Sequence, residues 1–354
     1  MSNPPEEKDH WFRDMMIYGS QAYLLVVIAI IGILAGILLP VLARIKSWTQ
    51  SGQVVIVYAA QDQVYAEPIL TEFGKETGIK VKAVYDNEAV KTVGLANRLL
   101  AEGSHPQCDV FWGNEEMRTR QLAVQDVFRK TNGWTAFGYR SRRIVINTNK
   151  LSLADAPKSL LDLTNEIWRG KVALAFPQFG TTATHFQALR QHWSQDRWLA
   201  WCRALAANKP FVVDGNSVVV KFVARGGAWI GLTDSDDIAA GQREGLPIAA
   251  LPLTDESLLI PNTVAVIRNA PHPANAQKLF DYLQRREVAE KLVQADALES
   301  SEGRVIRVPK STTETEVRDP RSSSLREKAL NPDWDLLLRD LEATTKQLNE
   351  IFLR

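Results

Sequence analysis

The sequence is poor in the residues from which small scaffolds and many catalytic sites are built. Cysteine occurs twice in 354 residues, at Cys108 and Cys202, in no CxxC pattern and near no histidine pair at zinc spacing. That excludes a disulfide framework and a structural zinc site. Both cysteines read as small buried residues, Cys108 ahead of an apolar run and Cys202 within a Trp-rich helical pattern. Histidine is scarce as well, at His10, His105, His185, His192 and His272. No GxGxxG, Walker loop, HExxH, GxSxG or kinase set is found, which removes the usual signatures of dinucleotide, nucleotide, metalloprotease and hydrolase chemistry. Only His185 stands near a strand-to-helix junction, and it reads as a helix-surface or cleft-lining residue rather than as part of a triad. An excess of charge is missing too. Forty-two Lys and Arg against 41 Asp and Glu leave a net charge of +1, so no global field points to nucleic acid.

Long apolar runs are absent but for one. From Tyr23 to Ala43, "YLLVVIAIIGILAGILLPVLA" carries 21 residues without a charge, long enough to cross a hydrocarbon layer of about 30 Å. Two readings stand. Residues 23–43 form a transmembrane signal anchor behind a cytoplasmic segment 1–22, or a signal peptide cleaved after "VLA" at Ala43. Lys8 and Arg13 on one side balance Arg44 and Lys46 on the other, so flanking charge does not set the orientation.

Beyond the polar joint "SWTQSGQ" the sequence changes character. "VVIVYAA", "IKVKAVY" and "CDVFWG" read as strands, with "YAEPILTEFGKETG" and "VGLANRLLAEG" as helices between them, so 54–113 is β-α-β-α-β. That is the pattern of a doubly wound parallel sheet. Further strands follow at "RRIVINTN", "GKVALAFP", "KPFVVDG", "AWIGLTD" and "TVAVIRN". Helices follow at "FGTTATHFQALRQHW", "NSVVVKFVARG" and "HPANAQKLFDYLQRREVAEKLVQ", and "SDDIAAGQREG" is a helix or turn. Residues 299–328 read as a surface or mobile segment, and 329–354 as a closing helix capped near Asn331 with Pro332 in its first turn.

In open α/β sheets, ligands bind beyond the carboxyl ends of the strands. The residues there form a polar set: Gln61 and Asp62; Trp112, Asn114 and Glu115; Gly180, Thr181 and Thr182; Asn216 and Ser217; and Thr233, Asp234, Ser235, Asp236 and Asp237. Thr181 and Thr182 put hydroxyls and free N–H groups at a helix start, a ready site for an anion. Each of these residues can also be a helix cap, and Asp236 and Asp237 suit the positive end of the helix that follows. Three carboxylates within four positions at the end of the strand "WIGL" are the most unusual feature.

Taken together, "VVIVYAAQDQVYAEPILTEFGKETGIKVKAVY", "RLLAEGSHPQCDVFWGNE", "YRSRRIVINT", "WRGKVALAFPQFGTTATH", "DGNSVVVKFVARG", "WIGLTDSDD" and "PNTVAVIRNAPHPANAQKLFDYL" resemble the periplasmic solute-binding proteins of ABC importers, ferric-ion-binding class. The resemblance implies the type II periplasmic-binding-protein fold, two doubly wound lobes joined by a hinge, with 53–133 plus 262–298 as lobe 1 and 134–261 as lobe 2. Trp134–Arg143 and Leu258–Val264 are expected to be the crossings. It implies no enzyme and no cofactor, but a transported ligand, Fe(III) with phosphate or carbonate, passed by a monomer to an ABC permease at the membrane. Gly180 with Thr181, Asn216, and Arg140 or Arg142 match the family's anion subsite. The family's paired tyrosines fall on Thr233 and Asp234, and its early His or acidic ligand near Asp62, so Asp62 and Asp234 are the candidate metal ligands. Carboxylates suit ferric iron or other hard cations, and equally an organic ammonium group. An enzyme on the same fold would have to use Asp62 with Asp234, or His185, as its acid–base pair.

Overall fold

Strand β4, Trp134–Asn147, organises the chain because its 14 residues are long enough to serve two halves of one sheet. The computed structural model describes residues 53–85, 91–131, 133–252, 254–300 and 329–353. The expected apolar span 23–43 and nearly all of segment 299–328 lie outside the described residues. Among the described residues, no helix is long and apolar enough to cross a membrane. Residues 55–354 form one unit by themselves.

The first half follows the expected β-α-β-α-β order: β1 (Val54–Ala59), α1 (Gln63–Thr77), β2 (Lys80–Val84), α2 (Lys91–Glu102) and β3 (Val110–Gly113). Helix α1 ends as its sequence signals, with Gly78 at φ 70° and its N–H bonded to the Gly74 carbonyl. After α3 (Glu116–Val124), β4 enters, and later β9 (Leu259–Val266) returns to lie between β3 and β4. The second half holds β5 (Val172–Ala175), α4 (Gly180–Trp193), α5 (Gln195–Ala207), β6 (Phe211–Val213), α6 (Asn216–Ala224), β7 (Ile230–Asp234), α7 (Ser235–Arg243) and β8 (Ile248–Ala250). Among the described residues the sheet order is β2-β1-β3-β9-β4-β7-β5-β6, with β8 also on β4.

Both crossing strands run antiparallel to their neighbours, while β1–β3, β5–β6 and β5–β7 pair in parallel. The N-terminal part of β4 pairs with β9, and its C-terminal part, from Arg142 on, with β7 and β8. "YRSRRIVINTN" is therefore not a separate strand but the continuation of the crossing. Its pairing shifts between Phe137 and Tyr139, where Gly138 adopts φ 55°. A Cβ at Gly138 would stand 2.4 Å from Leu298 Cδ1 and 2.9 Å from the Ser300 carbonyl oxygen, so the bulge admits little but glycine.

Each half has its own core. Val55, Val57, Phe111, Trp112, Val264 and Leu279 belong to one; Ile146, Leu174, Phe186, Trp198, Ile230 and Leu232 belong to the other. Burying each such side chain contributes about 1.5–3 kcal/mol. The helix expected over 272–294 is two, α8 (Pro273–Leu283) and α9 (Arg286–Gln294), because Arg285 takes an extended conformation at ψ 141°. The closing helix α10 (Trp334–Phe352) is capped by Asp333, not Asn331; the Asp333 carboxylate accepts from Asp335 N and Leu336 N. Trp334 and Leu337 of α10 share a small core with Met117 of α3, Ala188 of α4 and Ile260 of β9, so this helix touches both halves of the sheet. Cys108 and Cys202 are both buried free thiols, and burial raises the pKa of each.

Candidate functional site

The period-2 alternation of a strand puts Arg140 and Arg142 of β4 on one face and Ser141 on the other. The antiparallel register then sets Arg142 directly opposite Asp234, the last residue of β7. Two helices begin at the same place. Helix α4 starts at Gly180, whose φ of 53° suits glycine, and brings Thr181 and Thr182. Helix α6 starts after Gly215, at φ 135°, and brings Asn216 and Ser217.

These elements converge on the Asp234 carboxylate. Arg142 Nη1 donates to Oδ1 at 2.6 Å. Oδ2 accepts from Thr181 Oγ1 at 2.8 Å, Asn216 Nδ2 at 3.2 Å and Arg140 Nη2 at 3.3 Å. The donors are themselves cross-linked: Arg142 Nη1 donates to Asn216 Oδ1 at 2.8 Å, and Asn216 Nδ2 to Thr181 Oγ1 at 3.1 Å. The side chains of Arg140, Arg142 and Asp234 are 2%, 1% and 3% exposed, so the ion pairs are shielded from water. Burial alone would raise the Asp234 pKa, but Arg142 and Arg140 outweigh it and hold the carboxyl below the usual range.

Burial disfavours the charged Arg140, yet Asp236, Asp234, Asp62 and Asp237 together hold its pKa above the ordinary arginine value. Arg140 Nε lies 3.3 Å from Asp236 Oδ1, and its Nη1 donates to the Asn114 carbonyl at 2.7 Å. Asn114 thus meets the site through its backbone, from the other half of the sheet. Carboxylate oxygens of Asp234, Asp236 and Asp237 lie within 4.8 Å of one another, a hard-oxygen set close enough to meet one cation.

The remaining expected residues fall into distinct places. Asp62 is the N-cap residue of α1 without a side-chain capping bond, near enough to act on Arg140. Glu115 caps α3 through Met117 N and Arg118 N and also accepts from Thr184 Oγ1 at 3.3 Å, so it ties α3 to α4. Thr182 Oγ1 reaches Asn216 Oδ1 at 3.5 Å. Thr233 Oγ1 donates to the Asn216 carbonyl at 3.0 Å and Ser235 Oγ accepts from Ser141 N at 3.1 Å, so both brace the backbone around the site. Ser217 is half-buried at the start of α6.

Sequence reasoning read Asp236 only as a helix-end charge; it is 5% exposed and pairs with Arg140. Reading "RSR" as a strand with both arginines on one face was the available signal. His185 stands behind Arg142, its Nε2 2.7 Å from the Glu256 carbonyl, and both residues line a cavity of about 300 Å³. Burial and then the Arg142 charge lower the His185 pKa to about 3, so the imidazole is neutral at physiological pH.

Several proteins similar to this chain in sequence or in fold are binding proteins. An Fe(3+)-binding periplasmic protein of Serratia marcescens is 32% identical over 190 residues, 49% of this chain and 54% of that relative. The chain therefore spans about half the length of that relative. A Salmonella typhimurium relative named for 2-aminoethylphosphonate binding is 23% identical over 332 residues, 88% of this chain and 95% of that one. Iron-bound HitA from Pseudomonas aeruginosa has the same fold, with a TM-score of 0.68 at 18% identity over 83% of this chain and 99% of its own. Residues 54–295, well over half of the chain, match the family model for bacterial extracellular solute-binding proteins, and the chain belongs to that family.

Proposed function

We propose that the chain is the extracytoplasmic solute-binding component of an ABC importer. It captures a cationic ligand where the two halves of the sheet meet and delivers it to a membrane permease. The observation that carries this reading is the convergence of β4, β7, α4 and α6 on one buried point with a surplus of acidic groups. Arg140 and Arg142 face Asp234, Asp236, Asp237 and Asp62, so the local balance is negative. Ferric iron is the leading cargo: Asp236 and Asp237, beside Asp234, offer hard oxygens, and the Serratia relative is named for Fe(3+). Asp62, at the start of α1, would approach from the opposite half. The resemblance implies phosphate or carbonate as an accompanying anion, but the donors matched to that subsite are bonded to Asp234.

Residues 53–133 with 262–298 act as lobe 1 and 134–261 as lobe 2, and β4 and β9 form the crossing between them. A hinge there would let the lobes close, and a ligand that prefers the closed form would shift the population toward it. The chain works as a monomer, held at the membrane by 23–43 or released by cleavage near Ala43. We read no enzyme here. The Asp234 carboxylate is committed to two arginines and His185 is neutral and bonded to a backbone carbonyl, so neither Asp62 with Asp234 nor His185 makes an acid–base pair.

A small organic ligand with an ammonium group is the second reading, favoured by the Salmonella relative that matches nearly its whole length, whose named ligand also carries a phosphonate and would need the donor seat that Asp234 occupies to be open. There Asp236 and Asp237 would meet an ammonium group. The test is thermal unfolding of the purified chain with Fe(III) supplied as its nitrilotriacetate chelate, or with 2-aminoethylphosphonate. Ligand at about a hundred times its Kd adds about 2.7 kcal/mol of stability. A saturable rise in Tm with one ligand and no turnover supports the proposal. No rise with either would sink it.

A further inference from the structure

The donors gathered at this site form a seat for an oxyanion, and the seat is already filled from within the chain. Two guanidinium groups, a hydroxyl and a side-chain amide all point at one carboxylate, and every one of these donors comes from a different position than the acceptor they share. The residues expected to hold a free anion, Thr181, Asn216, Arg140 and Arg142, are the ones that bind Asp234. A tetrahedral oxyanion arriving from solution would have to lie beside this buried carboxylate and compete for the same N–H and O–H groups. Like charge and lost hydrogen bonds both oppose it.

We propose that Asp234 is the chain's built-in anion: its carboxylate takes the place of an exogenous phosphate or carbonate, so the cargo is bound without one. The assignment follows from the register. Asp234 ends β7 opposite Arg142, and its extended backbone (φ −97°, ψ 151°) turns the side chain into the seat rather than onto the start of α7, which it does not cap. Helix α7 then supplies Asp236 and Asp237 for a cation held next to the filled seat. Specificity follows from this arrangement. A ligand carrying its own phosphate or phosphonate finds the seat closed, and one that is purely cationic does not. This consequence rests on the binding-protein reading; the occupancy of the seat by Asp234 does not.

The test is phosphate titration of the full chain, of Asp234→Asn and of Asp234→Ala, in buffer free of phosphate and carbonate, read by Tm and by calorimetry. Wild type is expected to show no phosphate-specific change relative to sulfate-free chloride controls at equal ionic strength. Both variants are expected to unfold at lower temperature, and to regain stability as inorganic phosphate enters the vacated seat with a saturable heat. Asp234→Asn keeps the size and one acceptor, so it serves where Asp234→Ala folds poorly; refolding yield that rises with phosphate is the readout there. Phosphate binding by wild type that disappears in Arg142→Met overturns the proposal. So does the failure of phosphate to rescue either variant. In a second arm, Fe(III) nitrilotriacetate is titrated into wild type with and without phosphate. An unchanged affinity agrees with a filled seat, and an affinity at least tenfold tighter with phosphate contradicts it. No iron binding at all counts against the proposed cargo and leaves the phosphate arm to judge the seat.

Discussion

Replacing Asp234 by alanine would leave two guanidinium groups buried with their shared partner gone. The Asp234 side chain is 3% exposed, and those of Arg140 and Arg142 are 2% and 1% exposed. Breaking one side of a buried pair costs about 3–5 kcal/mol, chiefly because an uncompensated charge stays behind. Arg140 keeps Asp236 as a partner at 3.3 Å, so Arg142 bears most of the loss. In a large unit about 2 °C of Tm goes with each kcal/mol, which gives a drop of roughly 6–10 °C. A double-mutant cycle isolates the pair. Arg142→Met with Asp234→Leu removes both charges and is expected to cost less than the sum of the two single changes, with a coupling of about 2–3 kcal/mol. Urea unfolding at low and at high salt is the assay, since a shielded pair resists screening. Additive single effects, or an Asp234→Ala loss within about 1 kcal/mol of wild type, would refute the buried network; the carboxylate would then be solvated.

Other expectations concern neighbouring parts of the site. His185 is neutral in the fold, with a pKa of about 3 against about 6.5 for a free imidazole. The folded value lies below the unfolded one, so its contribution is complete above pH 6.5 and is lost as pH falls toward 3, by up to roughly 4 kcal/mol. His185→Gln, which can still donate to the Glu256 carbonyl, should flatten stability against pH between 6 and 4; a parallel curve would contradict it. Asp236→Asn with Asp237→Asn should weaken Fe(III) binding more than tenfold while circular dichroism stays unchanged; retained affinity would remove the α7 carboxylates from the cargo site. Gly138→Ala meets Leu298 and the Ser300 carbonyl in a bulge at positive φ, and a loss of about 1–3 kcal/mol in chemical unfolding is expected. A loss near zero would mean the bulge relaxes freely.

Much of the framework was legible because it is local. Apolar runs such as "VVIVYAA" and the glycine after α1 announce a buried strand and a helix end without reference to the rest of the chain. The position of the candidate site, a cluster of polar residues, was legible for a related reason, since polar residues collect where strands end. What Asp234 does there was not. Its partners lie 18, 53, 92 and 94 residues away in the chain, and the pairing register of β4 with β7, together with the starts of α4 and α6, brings them together. From the sequence alone, "TDSDD" shows acidity and no arginine beside it. The same limit explains Glu115, expected as a ligand contact: its role as the α3 cap is visible locally, but its bond to Thr184 depends on how α4 packs. The sequence reads as a crossing near Trp134–Arg143 and a strand "RRIVINTN", whereas the fold makes one strand of both, with a bulge at Gly138 and with Arg140 and Arg142 turned to Asp234.

The most direct measurement is calorimetric titration of the purified chain with Fe(III) nitrilotriacetate in phosphate-free, carbonate-free buffer. Saturable binding at one site, lost when Asp236 and Asp237 are both changed to asparagine, is the expected result. Absence of saturable heat with Fe(III), together with none for 2-aminoethylphosphonate, would contradict a solute-binding role for this site.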